Sequence, residues 1–145
     1  MIERIYVAAP YSPKCYELHN IPLPFFASEV KACPDNIHSS CLNFFITNSP
    51  REVQQNVDRA IAAGNVIHDK GHYAFVPHLT HYLHIHYSCK VDRGVWYYDY
   101  DNTFLDHWAT SFLYLAPSYG ADKELDRAKK LGLKIYYNLD EIQEA

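Results

Sequence analysis

Two acidic positions stand where a carboxylate could do chemistry. The stretch APSYGADKELDRA, residues 116–128, sets Ser118 and Gly120 just before a predicted helix and Glu124 about one turn inside it. Free backbone N–H groups and the helix dipole favour an anion at such an end. The dipole also disfavours protonation of Glu124, which could then face a ligand as a carboxylate. On position alone the favoured reading is an acid that complements the dipole or pairs with Arg127, three residues on. The second position is Asp101, which follows Tyr97, Tyr98 and Tyr100 and lies between Asp99 and Asp106. Aromatic walls desolvate a carboxyl group and raise its pKa, which suits a proton donor. The competing reading is a solvated helix face.

Metal and cofactor signals are weak. His78, His81, His84 and His86 could bring two imidazoles together on a helix, but no acid or cysteine nearby has ligand spacing. Cys15, Cys33 and Cys41 share a segment with His19 and His38, and Cys89 stands apart; no CxxC occurs and the spacings fit no standard zinc finger. Neither GxGxxG, GxxxxGK[ST] nor GxSxG is present, so a dinucleotide fingerprint, a P-loop and a nucleophile elbow are absent. The expectation is no metal and no cofactor.

The elements that must position these residues follow from periodicity. RIYVAA (residues 4–9) is an apolar run that fits a buried strand. SPREVQQNVDRAIAAGNVIHDKG (49–71) is the clearest helix. Ser49 caps it, Pro50 suits its first position and Glu52 closes a capping box. Val53, Val57, Ile61 and Gly64 fall near one face with Ala60 and Ile67 beside them, and Gly71 ends it. YAFVP (73–77) is a second strand stopped by Pro77, after which HLTHYLHIHY (78–87) reads as helix or loop. A helix from about Gly94, a strand SFLYLA (111–116), a helix GADKELDRAKKLG (120–132) closed by Gly132, a strand KIYYN (134–138) and a helical turn or two in LDEIQEA (139–145) complete the order. Strands alternating with helices imply right-handed crossovers and a parallel sheet covered on both faces, an α/β fold. Ligands of such sheets sit beyond the carboxyl ends of the strands, where APYS, PHLTH and APSYGADKE emerge. Residues 13–49 interrupt this pattern: apart from a possible strand in CLNFFITN (41–48), they read as a long loop.

Composition bounds the rest. A chain of 145 residues with 48% hydrophobic residues predicts one domain, residues 1–145, carrying a loop-rich insertion at 13–49. Thirteen tyrosines and seven phenylalanines suit pockets and interfaces as well as a core. A net charge of −4 without a basic run argues against a nucleic acid polymer as partner. The opening MIERIYVAAP lacks a basic region followed by an apolar run, and no stretch approaches a membrane span, so a cytoplasmic protein with reduced cysteines and no membrane partner is expected.

In their order, IYVAAPYS, NVDRAIAAGNVI, GHYAFVPHLTH, YDNTFLD and SYGADKELDRAKKLGLKIYY resemble the nucleoside 2-deoxyribosyltransferase-like superfamily, in particular its small bacterial and phage branch. The resemblance covers residues 1–12 and about 51 onward and skips the segment between. Ala9 stands where the branch has glycine, and Trp108-Ala109 where many relatives have Cys-Asp. The resemblance implies a flavodoxin-like three-layer sandwich with a central parallel sheet of four or five strands. It implies cleavage or transfer at the N-glycosidic bond of a (deoxy)nucleoside or nucleotide, by a transferase or a hydrolase. In its Ser-x-Gly-x-x-x-Glu pattern, Glu124 takes the place of the nucleophile and Ser118 and Gly120 hold the sugar's 5′ end or a phosphate. Asp101 becomes the proton donor or leaving-base contact, and Tyr11 orients nucleophile or sugar. Pro10, Ser12 and His78 join the substrate-binding set. The resemblance also implies a homo-oligomer. The alternatives are a module that binds a nucleotide or nucleotide-sugar without cleaving it, and an inactive scaffold.

Overall fold

A computed structural model describes residues 1–10, 50–80 and 93–145 of the chain. Tyr11, Ser12, the insertion at 13–49 with its possible strand, the Ser49 cap, all four cysteines, and His19, His38, His81, His84 and His86 lie outside the described residues. So do the side chains of Glu52, Val53, Tyr97 and Tyr98.

The expected alternation is present. Strand β1 (Arg4–Ala8) is followed by helix α1 (Pro50–Asp69), β2 (Tyr73–Phe75), a 3-10 turn (Pro77–Leu79), α2 (Arg93–His107), β3 (Ser111–Tyr114), α3 (Tyr119–Lys130), β4 (Lys134–Tyr136) and a second 3-10 turn (Leu139–Glu141). The strands form one four-stranded sheet in the order β2-β1-β3-β4. Every pairing is parallel, with Ile5 opposite Ala74 and Ser111, and Ser111 opposite Lys134. The chain has an α/β, flavodoxin-like fold. Strand ends run shorter than the apolar runs that signal them: β1 stops at Ala8 and β3 at Tyr114, and the runs continue into the loops beyond the carboxyl ends.

Alternation along β1 sorts the core into two layers. Ile5 and Val7 point to one face with Leu113, where Ala60, Ala63 and Ile67 of α1 cover them together with Val76, Tyr136 and Ile142. Tyr6 and Ala8 point to the other face with Phe112, beneath Leu105 of α2 and Ala121 and Ala128 of α3. Strands buried on both faces read as continuous apolar runs, which is how RIYVAA and SFLYLA appear in the sequence.

Both helices that feed the next strand directly close in the same way. Gly71, with φ of 87°, and Gly132, with φ of 73°, adopt the left-handed conformation that glycine tolerates without a Cβ penalty. In α3 the Leu133 amide reaches the Ala128 carbonyl and the Gly132 amide that of Lys129, a Schellman closure; His72 and Gly71 repeat it on Ile67 and His68 of α1. A sharp stop lets β2 and β4 begin two residues later.

Candidate active site

The strand order turns back between β1 and β3. β1 leads outward to β2 on one side, and the chain then crosses to β3 on the other. A crevice opens at such a switch point beyond the carboxyl ends of the strands. Three elements aim side chains at it: β1 supplies Tyr6, α2 supplies Asp101 and α3 supplies Glu124.

Helix α3 starts where the sequence predicts. Ser118 is its N-cap, in extended backbone, and its hydroxyl accepts the Ala121 amide at 3.0 Å. The dipole-complementing role belongs to Asp122, which also accepts the Tyr114 hydroxyl. Glu124 takes neither ordinary role. Arg127 does not pair with it: the guanidinium grips Asp106 of α2, with Nε 2.6 Å from Oδ1 and Nη2 on Oδ2, and holds that carboxyl below its usual range. Glu124 points inward instead, where the Tyr6 hydroxyl donates to its carboxylate.

Tyr6 is a functional candidate that reading the sequence missed. Its ring is buried between Phe75 and Phe112, at centroid distances of 5.5 and 5.9 Å, and Phe75 stacks on Phe104 at 4.1 Å. These rings belong to the core layer beneath α2 and α3. The available signal was a tyrosine inside an otherwise apolar buried strand, since a buried phenol needs a hydrogen-bonding partner. The resemblance implies an orienting role for Tyr11, which lies outside the described residues.

Asp101 is half-buried rather than part of a solvated face, whereas Asp99 is exposed and Asp106 is held by Arg127. Asp101 Oδ2 lies 3.4 Å from the Thr80 hydroxyl at the end of the β2 turn. Its Oδ1 and Glu124 Oε2 are shielded from solvent and have no hydrogen-bonding partner among the described residues. Burial pushes Asp101 up to about 8, and the neighbouring Glu124 charge adds to the rise. Burial pushes Glu124 up to about 7, opposed by the Tyr6 hydrogen bond. The Tyr6 hydroxyl supports charge on Glu124, and charge there disfavours ionisation of Asp101.

The remaining candidates fall around this pair. His78 is buried, with Nε2 2.9 Å from the Pro10 carbonyl, so its ring N–H ties the β2 turn to the chain leaving β1. Gly120 lies in the first turn of α3, where a Cβ would stand in ordinary contact with Glu124 Oε1, 4.0 Å away. Among the described residues no group of histidine, cysteine or acidic side chains is arranged to hold a metal ion, and no helix is long and apolar enough to cross a membrane.

Compared with known proteins, the chain matches no family model, no curated protein and no solved structure.

Proposed function

We propose that the chain cleaves or transfers at the N-glycosidic bond of a (deoxy)nucleoside or nucleotide through a covalent glycosyl-Glu124 intermediate. The observation that carries this reading is the pair at the switch point: two neighbouring carboxyl groups shielded from solvent, one of them, Glu124, receiving the Tyr6 hydroxyl. Retaining glycosyl transfer needs two carboxyl groups side by side. As the C1′–N bond breaks, its electrons pass to the base nitrogen and positive charge builds on the sugar. Glu124 beneath C1′ stabilises that charge and forms the C1′–O bond. Asp101 gives its proton to the departing base. Water or a second base then attacks C1′, releases Glu124 and returns a proton to Asp101. Ser118 and Gly120, at the start of the helix that carries Glu124, border the place for the sugar's 5′ side. The proposed ligand is a small nucleoside or nucleotide, and the proposed assembly a homo-oligomer built on exposed side chains such as Tyr73, Leu79 and Tyr137.

The test is incubation with a panel of 2′-deoxynucleosides and their monophosphates, with chromatography for free base and mass spectrometry for a sugar adduct on Glu124. The wild type is expected to release base and Glu124→Ala to release none. A wild type that binds a member of the panel and cleaves none would replace the enzyme with a binding module.

A further inference from the structure

The contact between Thr80 and Asp101 carries an assignment that rests on the proposed acid role of Asp101 and deepens it. Thr80 Oγ1 is 2.7 Å from the Pro77 carbonyl oxygen and 3.4 Å from Asp101 Oδ2. A hydroxyl has one hydrogen, and a carbonyl can only accept. The short contact has the usual length of an O–H···O bond, whereas the longer one exceeds it. The Thr80 hydrogen is therefore committed to Pro77, and Asp101 Oδ2 faces a lone pair. An ionised carboxylate there would meet lone pair against lone pair. A carboxylic acid would close the contact with its own O–H.

We infer that Thr80 is a positioning residue whose hydroxyl oxygen accepts a hydrogen bond from the Asp101 carboxyl group, holding Asp101 in its neutral form until a leaving group takes its proton. A Thr80 hydroxyl that donated to Asp101 would instead lower its pKa; the surrounding charges favour the neutral acid. Among the described residues, the charged group acting on Asp101 is Glu124 of α3, of like sign. From β1, Tyr6 spends its hydroxyl on Glu124, and the His78 ring N–H from the β2 turn is spent on Pro10. Asp99, on the same helix, is exposed to solvent. No cation among these groups draws the proton away. The bond to Thr80 is long and so weak, which lets a base nitrogen compete for the hydrogen without a large penalty. At transfer the Asp101 O–H bond breaks, an N–H bond forms on the base, and the glycosidic electrons stay with that nitrogen.

The assignment fixes the sign of an effect. Thr80→Val removes the acceptor and keeps the shape, so it should lower the Asp101 pKa, by on the order of half a pH unit for a weak hydrogen bond. Thr80→Ser should keep the wild-type value. The readout is titration of the Asp101 carboxyl carbon by NMR on aspartate-labelled protein, assigned with Asp101→Asn; it needs no substrate. An upward shift in Thr80→Val would mean that Thr80 donates to a carboxylate, and no shift would mean a merely structural contact. Either overturns the inference. Should Thr80→Val fail to fold, infrared spectra of the wild type decide: a protonated-carboxyl band at neutral pH that is missing in Asp101→Asn supports it, and no such band overturns it. A downward shift in a protein that cleaves no nucleoside would uphold the Thr80 assignment and sink the proposed reaction. Base release with an upward shift would do the reverse.

Discussion

Glu124 is raised to about 7 and Asp101 to about 8, in each case first by burial, and the direction of these shifts ties the proposed chemistry to stability. A carboxyl group raised by folding binds its proton more tightly in the native chain than in the unfolded one. Below roughly pH 4 both states are protonated, and the group contributes no penalty. As pH climbs towards about 8, the unfolded chain ionises freely while the native site must hold charge in a poorly solvated place, so stability falls. Glu124→Gln removes that charge and keeps an acceptor for Tyr6. Its melting temperature should match the wild type near pH 4 and exceed it at pH 8, with roughly 3 °C gained per kcal/mol relieved in a chain of this size. Scanning calorimetry at the two pH values checks this; a gap that narrows with rising pH would contradict the burial of the pair. Tyr6→Phe acts in the opposite sense. It leaves the Glu124 carboxylate without its donor, raises that pKa further and moves the acidic limb of any rate profile to higher pH. Loss of a hydrogen bond to a charged group, about 1.5–3 kcal/mol, predicts a rate lowered about tenfold to a hundredfold on the plateau.

At the scale of elements, helix α1 shows how closely its neighbours constrain it. A Cβ at Gly64 would stand 2.9 Å from Val76 Cγ2, a short branched side chain that is itself buried. Gly64→Ala would gain helix propensity, by about 1 kcal/mol, but force the helix off β2 or turn Val76 out of its rotamer, at about 1–3 kcal/mol. The expected net result is a loss on the order of 1 kcal/mol in urea denaturation, with α1 still formed by circular dichroism. The same helix illustrates what could be read beforehand. Its apolar face, its close at Gly71 and the strands on either side were legible, because periodicity and glycine chemistry are local. The crevice was legible only in part. Glu124 and Asp101 stood out by type and position, but the partner of Arg127 did not. Spacing within α3 suggests Glu124, whereas the actual partner, Asp106, lies on another helix. Tyr6 and Thr80 were missed for the same reason. Their roles arise where β1, the turn after β2, α2 and α3 converge, and no pattern along the chain records that convergence.

Across the whole molecule, chemistry and fastening occupy opposite ends of the sheet. The carboxyl ends of the strands carry the acid pair, and the amino ends carry a clasp. His72, buried at the entry to β2, accepts the Glu3 amide on Nδ1 at 2.9 Å. Its Nε2 therefore bears the proton and donates to the Gln143 carbonyl at 2.7 Å. Lys70 Nζ donates to the carbonyls of Leu139 and Ile142, and the Ala145 amide returns to the Lys70 carbonyl. Glu3 extends the clasp across the sheet, accepting the Tyr136 hydroxyl and pairing with Lys134 of β4. One imidazole thus joins the start of β1, the turn before β2 and the segment after the last 3-10 turn, whose Ile142 fills the core under α1. His72→Ala breaks both of its hydrogen bonds and leaves a partly buried amide unpaired, a loss of about 2–3 kcal/mol. That corresponds to a melting temperature lower by roughly 6–8 °C, measured by circular dichroism. Because the strands separate the clasp from the crevice by roughly 15 Å, the Asp101 titration and any base release at 25 °C should be unchanged. A variant that melted normally would show that the segment after β4 is not held through His72. One that shifted the Asp101 titration would show that the two ends of the sheet are coupled, and that the acid pair depends on more than the groups lining the crevice.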